Sequence, residues 1–182
     1  MDVFEVIHSR HSYRDAYRKT PVPREDLITI MKAGLAAPSG CNAQTVSLIA
    51  VDDPVVLEQL KDVMVRPLGK TAPAFICVLT QKTATYHGNC YNVQDYAAAV
   101  ENMLIGVRAL GYQSCWVEGY VTDENQVGKK MAEILHVPEG YELVCILPVG
   151  IAEHAPVLPK KKSFEERAWF NAFGNISDGS IR

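Results

Sequence analysis

The sequence predicts an α+β fold in which helices pack around one sheet. Three observations point to it. At 182 residues the chain is long enough to bury one well-developed core, so a single domain spanning 1–182 is expected. Segments with apolar residues at helical spacing are interleaved with short runs of branched residues bounded by turn formers. Helical patterns also stand at both ends of the order, as in a sandwich of helices around a sheet.

The elements follow in sequence. Residues Asp2 to Ser9 carry Val3, Phe4, Val6 and Ile7 as one apolar helical face. A second helix opens at Pro23 with two acids in its first turn. It runs through Leu27, Ile28, Ile30, Met31 and Leu35, and stops at Pro38, Ser39 and Gly40. Thr45 to Val51 and Pro73 to Thr80 read as strands, with a connecting helix over Pro54 to Met64. The next helix, Val93 to Leu110, has apolar residues on almost every side, so it is expected to be buried on several faces, and Gly111 ends it. Ser114 to Val117 make a brief strand leading to Glu118 and Gly119. Thr122 is expected to cap a helix through Leu135, and Tyr141 to Gly150 read as a strand. The tail joins a basic knot, Lys160 to Lys162, to a short helix or arm.

Eighteen Lys and Arg against 21 Asp and Glu give net −3, so no overall basic field points to nucleic acid or an anionic membrane surface. The N-terminus carries acids where a signal peptide needs bases, and no apolar run reaches the roughly 18 residues of a membrane span. The cysteines Cys41, Cys77, Cys90, Cys115 and Cys145 are odd in number and lack a CxxC pair, which suits a reducing cytoplasm. All five histidines are isolated, and no metal site is expected.

Four stretches carry candidate chemistry. In "SRHSYR", Arg10, Ser12 and Arg14 alternate, so in an extended segment two guanidiniums and a hydroxyl point the same way and suit a phosphate. A solvated basic turn at a helix C-terminus is the other reading. "APSGCNAQ" sets Ser39, Asn42 and Gln44 among small residues, either as backbone donors for a planar heteroaromatic ring or as an ordinary turn before a strand. In "CWVEGY" the amides of Glu118 or Gly119 face a ligand, or a strand simply ends there. Lys160, Lys161 and Lys162 form a basic site or a solvated tail. No GxGxxG or GxxxxGK[ST] loop is present, so the familiar glycine-loop routes to nucleotides are closed.

Taken in this order, "SRHSYR", "APSGCNAQ", "DYAAAVENMLIGVRALGYQSCWVEGY" and "LPVGIAEHAPVLPKKKSFEE" resemble the FMN-dependent nitroreductase family, over roughly Val3 to Phe173. The resemblance implies a central, mostly antiparallel sheet flanked by helices, in an intertwined homodimer that exchanges a C-terminal arm (152–182) and shares two FMN sites. It implies that Arg10 and Ser12 hold the FMN phosphate, with His11 adding a backbone or ring contact. Lys161, helped by Lys160, would complete that phosphate site. Arg14 would lie nearer the ribityl chain or pyrimidine edge, as the candidate for stabilising the reduced flavin. Pro38, Ser39, Gly40 and Asn42 would come from the other subunit and cover the ring, and Glu118 and Gly119 would present backbone N–H near N5 and O4.

The implied reaction is an NADH- or NADPH-dependent ping-pong cycle in which hydride passes to FMN N5 and on to a nitroaromatic, quinone or similar acceptor. The cofactor carries the chemistry, which explains why no acid/base constellation is found. A flavin-storing protein without turnover, and a dehalogenase or flavin-degrading enzyme on the same scaffold, are the alternatives. The sequence departs from the family where Thr45 and Val46 replace a frequent Pro-Trp and where Cys41 replaces a small or hydroxyl residue. It is also short for the family, and the missing length is expected over the ring, where acceptors are selected.

Overall fold

The computed structural model describes residues 2–119, 121, 122, 124 and 126–175. Helix α1 (Val3–Ser9) starts on a reciprocal cap: the Asp2 carboxylate accepts from the Phe4 and Glu5 amides, while the Glu5 carboxylate accepts from the Asp2 amide. Helix α2 (Arg24–Leu35) begins directly after Pro23. Strand β1 (Val46–Val51) leads to α3 (Pro54–Asp62), which has Pro54 in its first turn and the Asp53 side chain accepting from the Val55 and Val56 amides. Strand β2 (Ala74–Thr80), helix α4 (Asn92–Ala109), helix α5 (Val127–Ile134) and strand β3 (Glu142–Val149) complete the order.

The sheet is antiparallel throughout, in the order β1-β2-β3. Every residue of the central strand β2 is buried, and side-chain alternation divides the core into two layers. Phe75, Cys77 and Leu79 pack with Leu57 and Leu60 of α3 and Met131 of α5. Ala74, Ile76 and Val78 pack with Leu27 and Ile30 of α2 and Val100 and Met103 of α4. This is the helix-flanked antiparallel sheet that the sequence implied. No helix among the described residues is long and apolar enough to cross a membrane.

Several local expectations are revised. The segment before Glu118 runs along the edge of β3 but touches it only at two bridges, Gln113 with Gly150 and Val117 with Ile146. Midway between them the register sets Cys115 opposite Pro148, which has no N–H to give, so no continuous ladder forms. Instead the Ser114 carbonyl accepts from the Tyr13 amide at 2.9 Å, which sews "SRHSYR" to this segment. Thr122 does not cap α5: its hydroxyl turns back to the Glu118 carbonyl at 3.4 Å, and the helix starts five residues later at Val127. Of the short helix or arm expected in the tail, no helix forms at Phe164 to Arg167, which make a turn closed by the Arg167 amide on the Phe164 carbonyl. In α1 only Val6 is buried, and Val3, Phe4 and Ile7 face outward.

Helix α5 can approach β3 because Gly128 has no side chain. A Cβ there would stand 2.5 Å from the Leu143 carbonyl oxygen and 2.9 Å from that of Val121, both main-chain atoms. We predict that Gly128→Ala lowers unfolding free energy by about 1–3 kcal/mol in urea denaturation, because neither carbonyl can move without breaking its strand or turn. Stability equal to that of the parent would show that this contact relaxes freely.

Candidate functional site

Arg10 to Arg14 follow α1 without regular structure, with His11 and Tyr13 buried between more accessible neighbours. Ser12 and Arg14, with His11, Tyr13 and Asp15, line a cavity of about 310 Å³ whose other wall is Ala155, Pro156 and Val157. Arg14 and Asp15 also line an adjoining cavity of about 570 Å³, together with Arg66 and Leu68. Arg14 lies close enough to Cys115 for its charge to oppose the rise that burial imposes on that thiol, which stands at about 11. Arg10 does not line either cavity. Its Nε is 3.1 Å from Glu101 Oε1 on α4.

His11 is turned inward. Its Nδ1 lies 2.9 Å from the Ser9 carbonyl and therefore donates to it, while Nε2 is buried and has no partner among the described residues, as is true of the Ser114 hydroxyl. His11 is among the residues that line the smaller cavity. Lys160 and Lys161 are exposed and line neither cavity, although the chain reaches Lys160 three residues after Val157.

The "APSGCNAQ" loop is a built structure. Cys41, Asn42 and Gln44 all have left-handed backbones, with φ of 51°, 55° and 50°. Each costs of order 1 kcal/mol or more for a residue with a Cβ, so something must hold the loop. The Ser39 hydroxyl accepts from the Gln44 amide at 3.0 Å. Asp95, 3% exposed, accepts from the Gly40 amide and from the Thr45 hydroxyl, each at 2.7 Å. Gly40 itself has no room for a side chain, because Tyr91 carbons lie 2.6 Å from where a Cβ would stand. Pro38, Ser39 and Gln44 border a cavity of about 180 Å³.

The Glu118–Gly119 end is fixed equally firmly. Tyr96 donates its hydroxyl to Glu118 Oε1 at 2.9 Å, and Trp116 donates its indole N–H to Oε2 at 2.8 Å. The two rings meet edge to face. Burial, and then the bond to Glu118, push the Tyr96 hydroxyl up to about 12, so it remains a donor at neutral pH. Among the described residues the amides of Glu118 and Gly119 have no acceptor, and a Cβ on Gly119 would meet nothing within 4 Å. Two amides without an acceptor among the described residues, the Ser12 hydroxyl and the Arg14 guanidinium are donors of the kind that the edge of a planar heteroaromatic ring and a phosphate accept. Among the described residues no three His, Cys, Asp or Glu side chains are grouped as metal ligands.

The sequence model of the Nitroreductase family matches residues 7–68 and 64–151. The chain belongs to the Nitroreductase family. A relative in Archaeoglobus fulgidus, provisionally named an NADH dehydrogenase/NAD(P)H nitroreductase, is 29% identical to this nitroreductase-family chain over 151 residues, covering 82% of it and 84% of the relative. A crystal structure of a nitroreductase with bound FMN from Bacteroides fragilis NCTC 9343 superposes with a TM-score of 0.73 at 28% identity, covering 90% of this chain and 95% of that one. An FMN-dependent nitroreductase from Clostridium difficile R20291 gives 0.76 at 27% identity, over 93% and 99% of the two chains.

In this nitroreductase-family chain the sequence reading missed the residues that hold the others. Asp95, Tyr96 and Glu101 sit in a helix read as apolar, where isolated polar residues give no periodic signal. Arg66 stands alone in an unpatterned loop. We predict that Asp95→Ala, which strands the Gly40 amide and Thr45 hydroxyl, lowers unfolding free energy by about 2 kcal/mol or more in chemical denaturation. Asp95→Asn keeps one acceptor oxygen and should fall between. An Ala variant as stable as the parent would show that the loop does not hang on this carboxylate.

Proposed function

We propose that this chain is an FMN-dependent oxidoreductase that takes hydride from NADH or NADPH and delivers electrons to nitroaromatic, quinone or similar acceptors, as a cytoplasmic homodimer. The observation that carries the reading is the presence, in one fold, of a cavity edged by Ser12 and Arg14 and of a Glu118–Gly119 end whose side chain is held by Tyr96 and Trp116 and whose amides have no acceptor among the described residues. Membership of the family, and the FMN and NAD(P)H in its relatives' names, support the same reading.

FMN, when bound, supplies the hydride-accepting and electron-donating chemistry in alternating half-reactions. The chain's own residues bind and orient it. Ser12 and Arg10 would hold the phosphate, the latter through the guanidinium nitrogens that Glu101 does not engage, with Lys160 and Lys161 adding charge from the tail. Arg14 would place its charge at the pyrimidine edge, opposing the negative charge that reduction brings. The amides of Glu118 and Gly119 would donate to the ring edge near N5 and O4. Pro38, Ser39, Gly40 and Asn42 would cover the ring from the other subunit.

The dimer is supported by what one chain leaves uncovered. Val3, Phe4 and Ile7 of α1, Ile28 and Leu35 of α2, and Val93 of α4 are exposed, and so are Val157, Leu158, Phe164, Phe170 and Phe173 on the tail. So much apolar surface on helices and a protruding arm fits a second copy of the chain. We assign the arm to 152–182 of a single domain, 1–182; residues 176–182 lie outside the described residues.

The test is anaerobic. Protein loaded with FMN and mixed with NADH or NADPH should lose its oxidised-flavin absorbance and regain it on adding a nitroarene or quinone. Flavin that neither nicotinamide reduces would point instead to storage without turnover. Arg10→Ala should weaken FMN binding at least tenfold, since one charged phosphate contact is worth about 1.5 kcal/mol or more. Unchanged flavin affinity in that variant would remove Arg10 from the phosphate site.

A further inference from the structure

The fold itself does not explain the segment between β2 and α4. Gln81 to Tyr91 closes on itself through an Ala84–Cys90 bridge and a Thr85 amide that donates to the Asn89 carbonyl at 2.8 Å. The Asn89 side-chain amide donates to the Tyr86 carbonyl at 3.0 Å, and the Thr85 hydroxyl to the Asn89 carbonyl at 3.1 Å. His87 takes a left-handed backbone, φ 53°, at the tip. This bonding keeps Tyr86 out of the core, 61% exposed, with the His87 ring against it edge to face at 4.0 Å between centroids. Rigid support for an exposed aromatic pair contributes nothing to the core, and such pairs suit a planar ligand.

Both ends of this segment are fastened to the "APSGCNAQ" loop. The Gln81 amide donates to the Thr45 carbonyl at 3.0 Å, and at the other end Tyr91 packs on Gly40. Four residues on, Asp95 bonds both Gly40 and Thr45. The two loops are therefore fastened together at Thr45 and Gly40, and Tyr86 and His87 stand at the tip of the segment held between those two anchors.

We propose that Tyr86 and His87 form a wall of the acceptor slot, selecting planar aromatic electron acceptors for the flavin of the partner subunit. The proposal rests on the FMN and homodimer reading above. Tyr86 offers a flat face for stacking, and His87 holds that face in place. Electrons reach the acceptor from the flavin, and neither residue takes part in their transfer.

The test uses the FMN-loaded wild type, Tyr86→Ala, Tyr86→Phe and His87→Ala, with a nitroarene, a naphthoquinone and ferricyanide as acceptors. In Tyr86→Ala the KM for both arenes should rise by about fivefold, while kcat, the rate of flavin reduction by NAD(P)H and the ferricyanide reaction stay at wild-type values. Tyr86→Phe should behave as wild type, and His87→Ala should lie between. An unchanged arene KM in Tyr86→Ala, or an equal loss with ferricyanide, would overturn the proposal. So would a wild type that serves ferricyanide but no arene. If NAD(P)H fails to reduce the wild-type flavin, the functional reading falls first, and that outcome is distinguishable because it appears before any variant is compared.

Discussion

Helix α4 is the constraint on which the rest of the candidate site depends. Its apolar residues Val100, Met103 and Val107 pack into the core against α2 and one face of the sheet, which fixes the helix in place. Its polar residues then each reach a different piece of the site. Asp95 holds the Gly40–Thr45 loop, and the next residue, Tyr96, holds Glu118. Glu101 pairs with Arg10, and Arg108 donates to the Ser9 hydroxyl at 3.0 Å. From Asp95 to Arg108 is about 20 Å along a helix, so these contacts are spread over most of the length of α4. Segments far apart in sequence are thus set in register by one rigid rod, and the loops need no stiffness of their own.

This arrangement accounts for the strain at Cys41, Asn42 and Gln44. Left-handed conformations with side chains are unfavourable, and a free loop would relax out of them. Two short bonds to a buried carboxylate, and the contact of Gly40 with Tyr91, leave no room to do so. Removing the carboxylate would cost twice, once for stranded donors and once for the released backbone. The same economy appears at Glu118, where both carboxylate oxygens are engaged by side chains from α4 and from the segment that precedes Glu118.

Much of this was legible in the sequence, and for identifiable reasons. Helix α2 announced both its ends with Pro23, an acidic first turn and a Pro-Ser-Gly stop, and it runs Arg24–Leu35. The strands β1, β2 and β3 were legible because branched runs between turn formers have few other uses. The family resemblance, carried by four short motifs, gave the sheet's antiparallel pairing. Thr122 misled because a good capping residue was claimed by the Glu118 carbonyl first, a tertiary choice with no local signature. The brief strand before Glu118 failed to form a ladder because of Pro148, which lies 33 positions beyond Cys115 and is paired with it only by the fold. Asp95 and Tyr96 were invisible as site residues because their partners are set by packing, and no motif spacing records that.

We propose that these pieces, brought together by α4, make a flavin site shared by two chains. The most direct measurement is equilibrium titration of the flavin-free protein with FMN, followed by absorbance, with molar mass measured by light scattering in the same samples. The account predicts saturation at one FMN per chain on a species of twice the chain mass. A chain that binds no FMN, or one that binds it fully as a monomer, would contradict it.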